Sequence, residues 1–175
     1  MIKGYFSKIK TCRGLRAQAI VEFAIVLPIL LMILVGILEI GRMILIYSAV
    51  TNASRNAVRY ASVVGLEDTG QYHKYRYCYG IYQMAKRSAF LVRDADLTVT
   101  ISYYDDLSAS PMDSCTNTEM QNPTFEKNVD VSTGDRVSVT VVANYRPMVR
   151  LVPIPNRTFT SSSFRTILGI VSLDE

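Results

Sequence analysis

The sequence predicts an α+β protein in which a long N-terminal helix crosses a membrane and continues into a small exported domain. An apolar run fills residues 18–47, helical spacing persists beyond it, and the second half of the chain alternates in the manner of β-strands. We therefore divide the chain into a basic cytoplasmic leader (1–17), a transmembrane helix (18–47) and an exported α+β domain (48–175).

The apolar run is long enough to cross the hydrocarbon core of a bilayer. From Phe23 to Leu38 no residue is charged. Counted from Gln18, the run extends over about 31 Å as a helix. The alternatives are a cleaved secretory signal, whose apolar region is only about 7–15 residues long, and a buried helix of a soluble protein. The length of the run and its basic flank favour a membrane span over both.

The excess positive charge lies beside this run. Residues 51–175 hold 13 basic and 13 acidic side chains, whereas residues 1–17 hold five basic side chains and no acid. By the positive-inside rule the N-terminus stays in the cytoplasm, and the chain after Tyr47 lies outside the cell (inner) membrane. Because the excess charge is not in the folded part, we predict no nucleic-acid partner.

Beyond the membrane, the apolar positions of the helix keep spacings of three and four residues up to about residue 64, and many of them are alanine. One helix is therefore expected from about Gln18 to Val64, with its second half packed on the exported domain. The other predicted elements are a short helix from Gly80, antiparallel strands over 97–104, 136–145 and 157–168, and a long polar loop over 105–134.

Two of the three cysteines fall in the exported part, where oxidation is allowed. Cys78 and Cys115 are the natural disulfide pair, with two buried thiols as the alternative, while Cys12 stays a cytoplasmic thiol. Closing the loop between Cys78 and Cys115 would stabilise the domain by roughly 3–4 kcal/mol.

Residue types that carry catalysis are sparse. His73 is the single histidine, which leaves neither a histidine metal cluster nor a convincing triad. The chain has no Gly-rich phosphate loop and no Cys-x-x-Cys pair. We predict no enzymatic activity and no cofactor. The tyrosines around His73 form either a contact surface or part of the core, and they are Tyr72, Tyr75, Tyr77, Tyr79 and Tyr82.

Glu22 places a carboxylate near the start of the apolar run. The surrounding sequence, "AQAIVEFAIVLPILLMILVGILEIGR" followed by "TNASRNAVRYAS", resembles the TadE-like family of pilin-like (pseudopilin) proteins of the Tad (tight-adherence) pilus assembly system. The similarity covers about residues 13–64. It implies a pilin-like fold and a structural, non-catalytic role as a minor pilin, in a system of secretion and cell adhesion. The implied partners are the membrane, a prepilin peptidase, other pilin-like subunits and the pilus assembly machinery.

The resemblance also implies a processing site. In this family the peptidase cuts so that the glutamate becomes mature position five, which places the cut between Ala17 and Gln18 and makes Glu22 that glutamate. Ala17 replaces the usual glycine before the cut. Gly14 is the alternative site, although cutting there would leave Glu22 at position eight.

The sequence predicts a structural role for three further residues of the helix. Pro28 removes a hydrogen bond to the Ala24 carbonyl and should kink the span. Glu39 and Arg42, three residues apart, can form an ion pair near the outer interface.

A carboxylate inside a membrane needs a partner. After cleavage, the α-ammonium of one subunit could pair with Glu22 of its neighbour. The alternative for Glu22 is an interface residue without a partner. For the whole chain, the alternatives are a single-pass membrane-anchored exported binding module that does not assemble, and an anchored enzyme.

Overall fold

Helix α1 runs from Arg13 to Ser62 in a computed structural model of the chain. The structure describes residues 13–63, 65–66, 70, 72–106, 108–129, 131–132, 134–148 and 155–167, with side chains from residue 18 onward. By length and composition, α1 can cross a membrane. The sequence analysis placed the end of this helix at about residue 64, and the helix ends two residues earlier.

A four-stranded antiparallel sheet follows, so the α+β class predicted from the sequence is confirmed. The strand order is β2-β1-β3-β4. The elements after α1 are α2 (Cys78–Ser88), a 3-10 turn (Asp94–Asp96), β1 (Leu97–Tyr104), β2 (Asp113–Ser114), α3 (Asn117–Gln121), β3 (Arg136–Tyr145) and β4 (Arg157–Thr166).

The three predicted strands are observed as β1, β3 and β4, and the predicted long polar loop over 105–134 contains two further short elements. The loop contains β2, which pairs with β1 through Ser102↔Ser114 and Tyr103↔Asp113. It also contains α3, whose N-terminus is closed by a capping box between Thr116 and Glu119. A two-residue strand is too short to show a period of two, so sequence periodicity does not reveal it.

The core lies between the sheet and the helices. Alternate residues of β1 and β3 are buried, and α1 packs on β3, β4 and α2. On α1 the contact face includes Ala53, Ala57 and Ala61, which are fully buried, beside Val50 and Val58. Small side chains let the helix and the sheet approach closely, so residues 46–61, the packed half of α1, become part of the domain core.

The sheet has a defined direction along α1. Its Tyr145 end is where Tyr145 pairs with Arg157, and its Tyr103 end carries β2. At the Tyr145 end, the rings of Tyr47 and Phe159 meet edge to face with centroids 6.0 Å apart. The Tyr145 end therefore lies towards residues 18–38, the apolar half of α1.

Candidate functional site

Glu39 is a buried carboxylate at the boundary between the two halves of α1, and its residue is only 4% exposed. One carboxylate oxygen accepts a hydrogen bond from the Tyr145 hydroxyl. The other accepts from the Met148 backbone N–H at 2.8 Å. Both oxygens are thus satisfied by the end of β3 and the residues after it, and hydrogen bonds to a charged group contribute about 1.5–3 kcal/mol each.

Arg42 completes this arrangement one helical turn later. Its Nη1 lies 3.6 Å from a Glu39 oxygen and donates to the Arg146 carbonyl at 3.0 Å. The guanidinium also lies over the Tyr145 ring, 5.2 Å from the centroid. We call Glu39, Arg42, Tyr145 and the backbone of residues 146–148 the junction cluster. The sequence analysis paired Glu39 with Arg42 but missed the partners from the end of β3 and the residues after it.

The electrostatics of the cluster keep its donor protonated. Burial, and next the hydrogen bond to the Glu39 carboxylate, raise the pKa of the Tyr145 hydroxyl. The shift favours the protonated hydroxyl, which is the form that donates to Glu39. Because its groups bind one another across the two elements, the cluster fixes the end of the sheet on α1.

An ion pair of Asp96 connects the 3-10 turn before β1 to the junction cluster. The buried carboxylate of Asp96 lies 3.0 Å from Arg146 Nη2 and 2.8 Å from Arg93 Nη2. Arg146 thus links the junction cluster to the 3-10 turn, so the Tyr145 end of the sheet is held by α1 and by the turn before β1.

The predicted processing residues lie at the other end of the apolar half. Gln18 donates its side-chain amide to Glu22 Oε1 at 3.2 Å, across one turn of α1. Glu22 is exposed, and Pro28 lies inside the continuous helix. The backbone at Ala17 is helical, its side chain is outside the described residues, and residues 1–12 of the leader, with Cys12, are outside them too. Cleavage, the kink and the subunit pairing stay predictions.

Cys78 and Cys115 are joined by a disulfide, with Cα atoms 6.0 Å apart and 37 positions apart in sequence. The bond links the first residue of α2 to the segment after β2. Beside it, the buried Tyr103 hydroxyl donates to the Tyr75 carbonyl at 2.6 Å. Burial raises the pKa of Tyr103, with smaller contributions from nearby carboxylates.

The tyrosine cluster packs the segment after α3 onto the segment before α2. Tyr72 and Tyr77 stack with ring centroids 4.9 Å apart. Their hydroxyls donate to the carbonyls of Thr124 and Pro123. His73 uses its backbone N–H to bind Glu126 at 2.9 Å. These contacts favour the packing interpretation of the cluster over a contact surface.

Lys127 was missed by the sequence analysis, although it is a buried cation. Its Nζ lies 3.1 Å from Glu119 and 3.2 Å from Asp113. Glu119 also forms the capping box with Thr116. The sequence pattern Thr-x-x-Glu is typical of a helix N-terminus and could have predicted the start of α3. The two carboxylates compensate the buried charge and close the insertion between β1 and β3.

The comparisons with known proteins agree with the sequence of α1. Residues 17–59 match the family model described as TadE-like protein, which confirms the resemblance over that segment. No curated protein and no solved structure matches the chain. The match covers α1 from the predicted cleavage position almost to its end and leaves the sheet outside. It supports membrane anchoring and an association with the Tad pilus system.

Proposed function

We propose that this chain, TadE-like over residues 17–59, is a minor pilin or pseudopilin subunit of a Tad-type (type IV-like) pilus. Its role is structural and non-catalytic. The observation that carries the proposal is Glu22, an exposed carboxylate between the exposed apolar side chains of Val21 and Phe23. In hydrocarbon such a group requires a partner, and in the described chain the nearest one is the neutral amide of Gln18.

Cleavage would supply a better partner. Hydrolysis of the Ala17–Gln18 bond by a prepilin peptidase gives a carboxylate on Ala17 and an α-ammonium on Gln18. That ammonium can pair with Glu22 of a neighbouring subunit, which offsets the cost of both charges in the membrane. The pairing would set the register in which apolar halves pack in an assembly with other pilin-like subunits and the assembly machinery.

Charge and redox chemistry support one orientation. The basic leader favours an N-terminus in the cytoplasm and a sheet domain outside the inner membrane. A disulfide between Cys78 and Cys115 suits an exported location, since cytoplasmic thiols are kept reduced.

Mass spectrometry of protein recovered from membranes tests the proposal. We expect a chain that begins at Gln18 and lacks the 17-residue leader. Ala17→Gly should speed processing, because it removes the methyl group next to the scissile bond, and Ala17→Leu should block it. Neither change alters the span or its basic flank, so insertion should be unchanged.

Gly14→Leu is the matched control and should leave processing at Gln18 intact. If Gly14→Leu blocks the cut instead, the cleavage site is wrong and the pairing of Glu22 fails with it. A chain that still begins at Met1 would favour the anchored binding module that does not assemble.

A further inference from the structure

We infer that the Tyr145 end of the sheet rests on the outer leaflet of the membrane, with Met148 inserted among the lipids. The inference rests on the proposed membrane span and is independent of leader cleavage. Met148 is a large apolar side chain that is 77% exposed although it directly follows a buried cluster.

The junction cluster fixes the depth of Met148. Residues 18–38 cover about 31 Å as a helix, which matches the hydrocarbon core, so Glu39 lies at its outer boundary. The Met148 N–H binds Glu39 directly, at 2.8 Å. Met148 is therefore held at the level where hydrocarbon meets headgroups, and α1 itself determines which surface covers it.

Positive charge near the same level suits lipid phosphates. Arg157 is exposed where β4 begins and is paired in register with Tyr145, three residues before Met148. An exposed methionine close to an exposed arginine is a composition expected at a membrane interface, where apolar side chains enter the acyl region and guanidinium groups bind phosphate. A second copy of the chain would have to displace these lipids to reach Met148.

Met112 is a matched control on the opposite end of the sheet. It is also exposed and apolar, and its N–H donates to the Tyr103 carbonyl at 2.8 Å. Tyr103 pairs with Val137, eight residues before Tyr145 on β3. At the rise of a strand this separates the two ends by about 26 Å. The inference thus predicts lipid contact for Met148 and water contact for Met112.

Single tryptophans report the two positions, because the chain has no tryptophan of its own. The full chain is reconstituted in phosphatidylcholine and phosphatidylglycerol vesicles as Met148→Trp, Met112→Trp or Leu30→Trp. Doxyl-labelled lipids are then added, with the label near the headgroup or deep in the acyl chain. We expect the shallow label to lower Met148→Trp fluorescence on the order of twofold, as for an interfacial tryptophan. Met112→Trp should respond to aqueous acrylamide and not to lipid.

Leu30→Trp separates the two ways of failing. It lies in the apolar half, and the deep label should quench it if α1 spans the bilayer. In one outcome, lipid labels quench Leu30→Trp but Met148→Trp responds only to acrylamide, as Met112→Trp does. This outcome would overturn the inference and leave the span intact. No quenching at Leu30→Trp would remove the span and the inference together.

A second copy as the true occupant gives a different result. Met148→Trp would then be protected from lipid and gain lipid quenching only when the protein is diluted in excess lipid, which also overturns the inference. Resistance of the domain to limited proteolysis, compared with the unmodified chain, checks that each variant is folded.

Discussion

The two halves of α1 share one helix and differ in what surrounds them. In the apolar half, large side chains such as Ile25, Leu30 and Ile33 are more than half exposed in the isolated chain. In the packed half, alanines such as Ala53 and Ala57 are fully buried, together with the larger Val50 and Val58. Lipid fills space around any side chain, whereas a packed core requires complementary volumes, so small side chains are needed where α1 approaches the other elements closely.

The largest expected effect concerns the packed half and its domain. Cys115→Ser should lower the free energy of unfolding of the sheet domain by about 3–4 kcal/mol, because the unfolded chain regains the freedom of the loop. Thermal unfolding in vesicles, followed by proteolysis of the domain, measures the loss. Membrane extraction of the same variant should be unchanged, and alkylation of both Cys78 and Cys115 without prior reduction would contradict the disulfide.

A matched pair of substitutions tests the comparison itself. Ala53→Leu should destabilise the domain by about 1–3 kcal/mol, because the packed face has no room for three more carbons. Ala24→Leu, on the exposed apolar half, should leave domain stability unchanged and favour insertion. Equal effects in protease-resistance assays would show that the two halves have the same surroundings.

Alkaline pH should produce a smaller effect in the domain. The folded pKa of Tyr103 is raised, so the folded state holds its proton more tightly than the unfolded state. Its contribution to stability is therefore complete below about pH 10, the unfolded tyrosine value, and is lost progressively as pH rises above it. Tyr103→Phe should flatten the fall in stability between neutral and alkaline pH.

Tyr104→Phe, with its side chain on the opposite face of β1, is the control and should keep the wild-type slope. A Tyr103→Phe variant with the same alkaline slope as the wild type would show that Tyr103 does not dominate the pH dependence.

Glu22→Gln should weaken the association of subunits and leave the folding of the domain unchanged. Domain stability should not change, because Glu22 lies in the apolar half, far from the sheet. Insertion should be retained, since a neutral amide costs less in the membrane than a carboxylate. Crosslinking in membranes should nevertheless give fewer oligomers, because the neighbouring ammonium loses its charged partner.

Glu22→Asp retains the charge and should keep part of the oligomer yield. Oligomer yields that are the same for Glu22→Gln and the wild type would favour Glu22 as an interface residue without a partner.

Local sequence determined a large part of this protein. The length and charge of the apolar run predicted α1, and period-two alternation located β1 and β3 at their observed bounds. For β4, the predicted end at residue 168 lies two residues beyond the observed Thr166. These features depend on the spacing of apolar residues and on the free energy of moving side chains from water into lipid or a protein core. Both can be evaluated from residues that are close in sequence.

Only the tertiary structure determined which groups bind the buried charges. The hydroxyl that satisfies Glu39 belongs to Tyr145, 106 positions away, and Lys127 meets carboxylates from β2 and α3. A buried charge is tolerated only where donors or acceptors converge on it, and this convergence depends on how the sheet packs against α1. Strand β2 likewise exists because β1 offers it an edge. The sequence alone could therefore pair Glu39 with Arg42, and the fold determined which further groups bind the carboxylate.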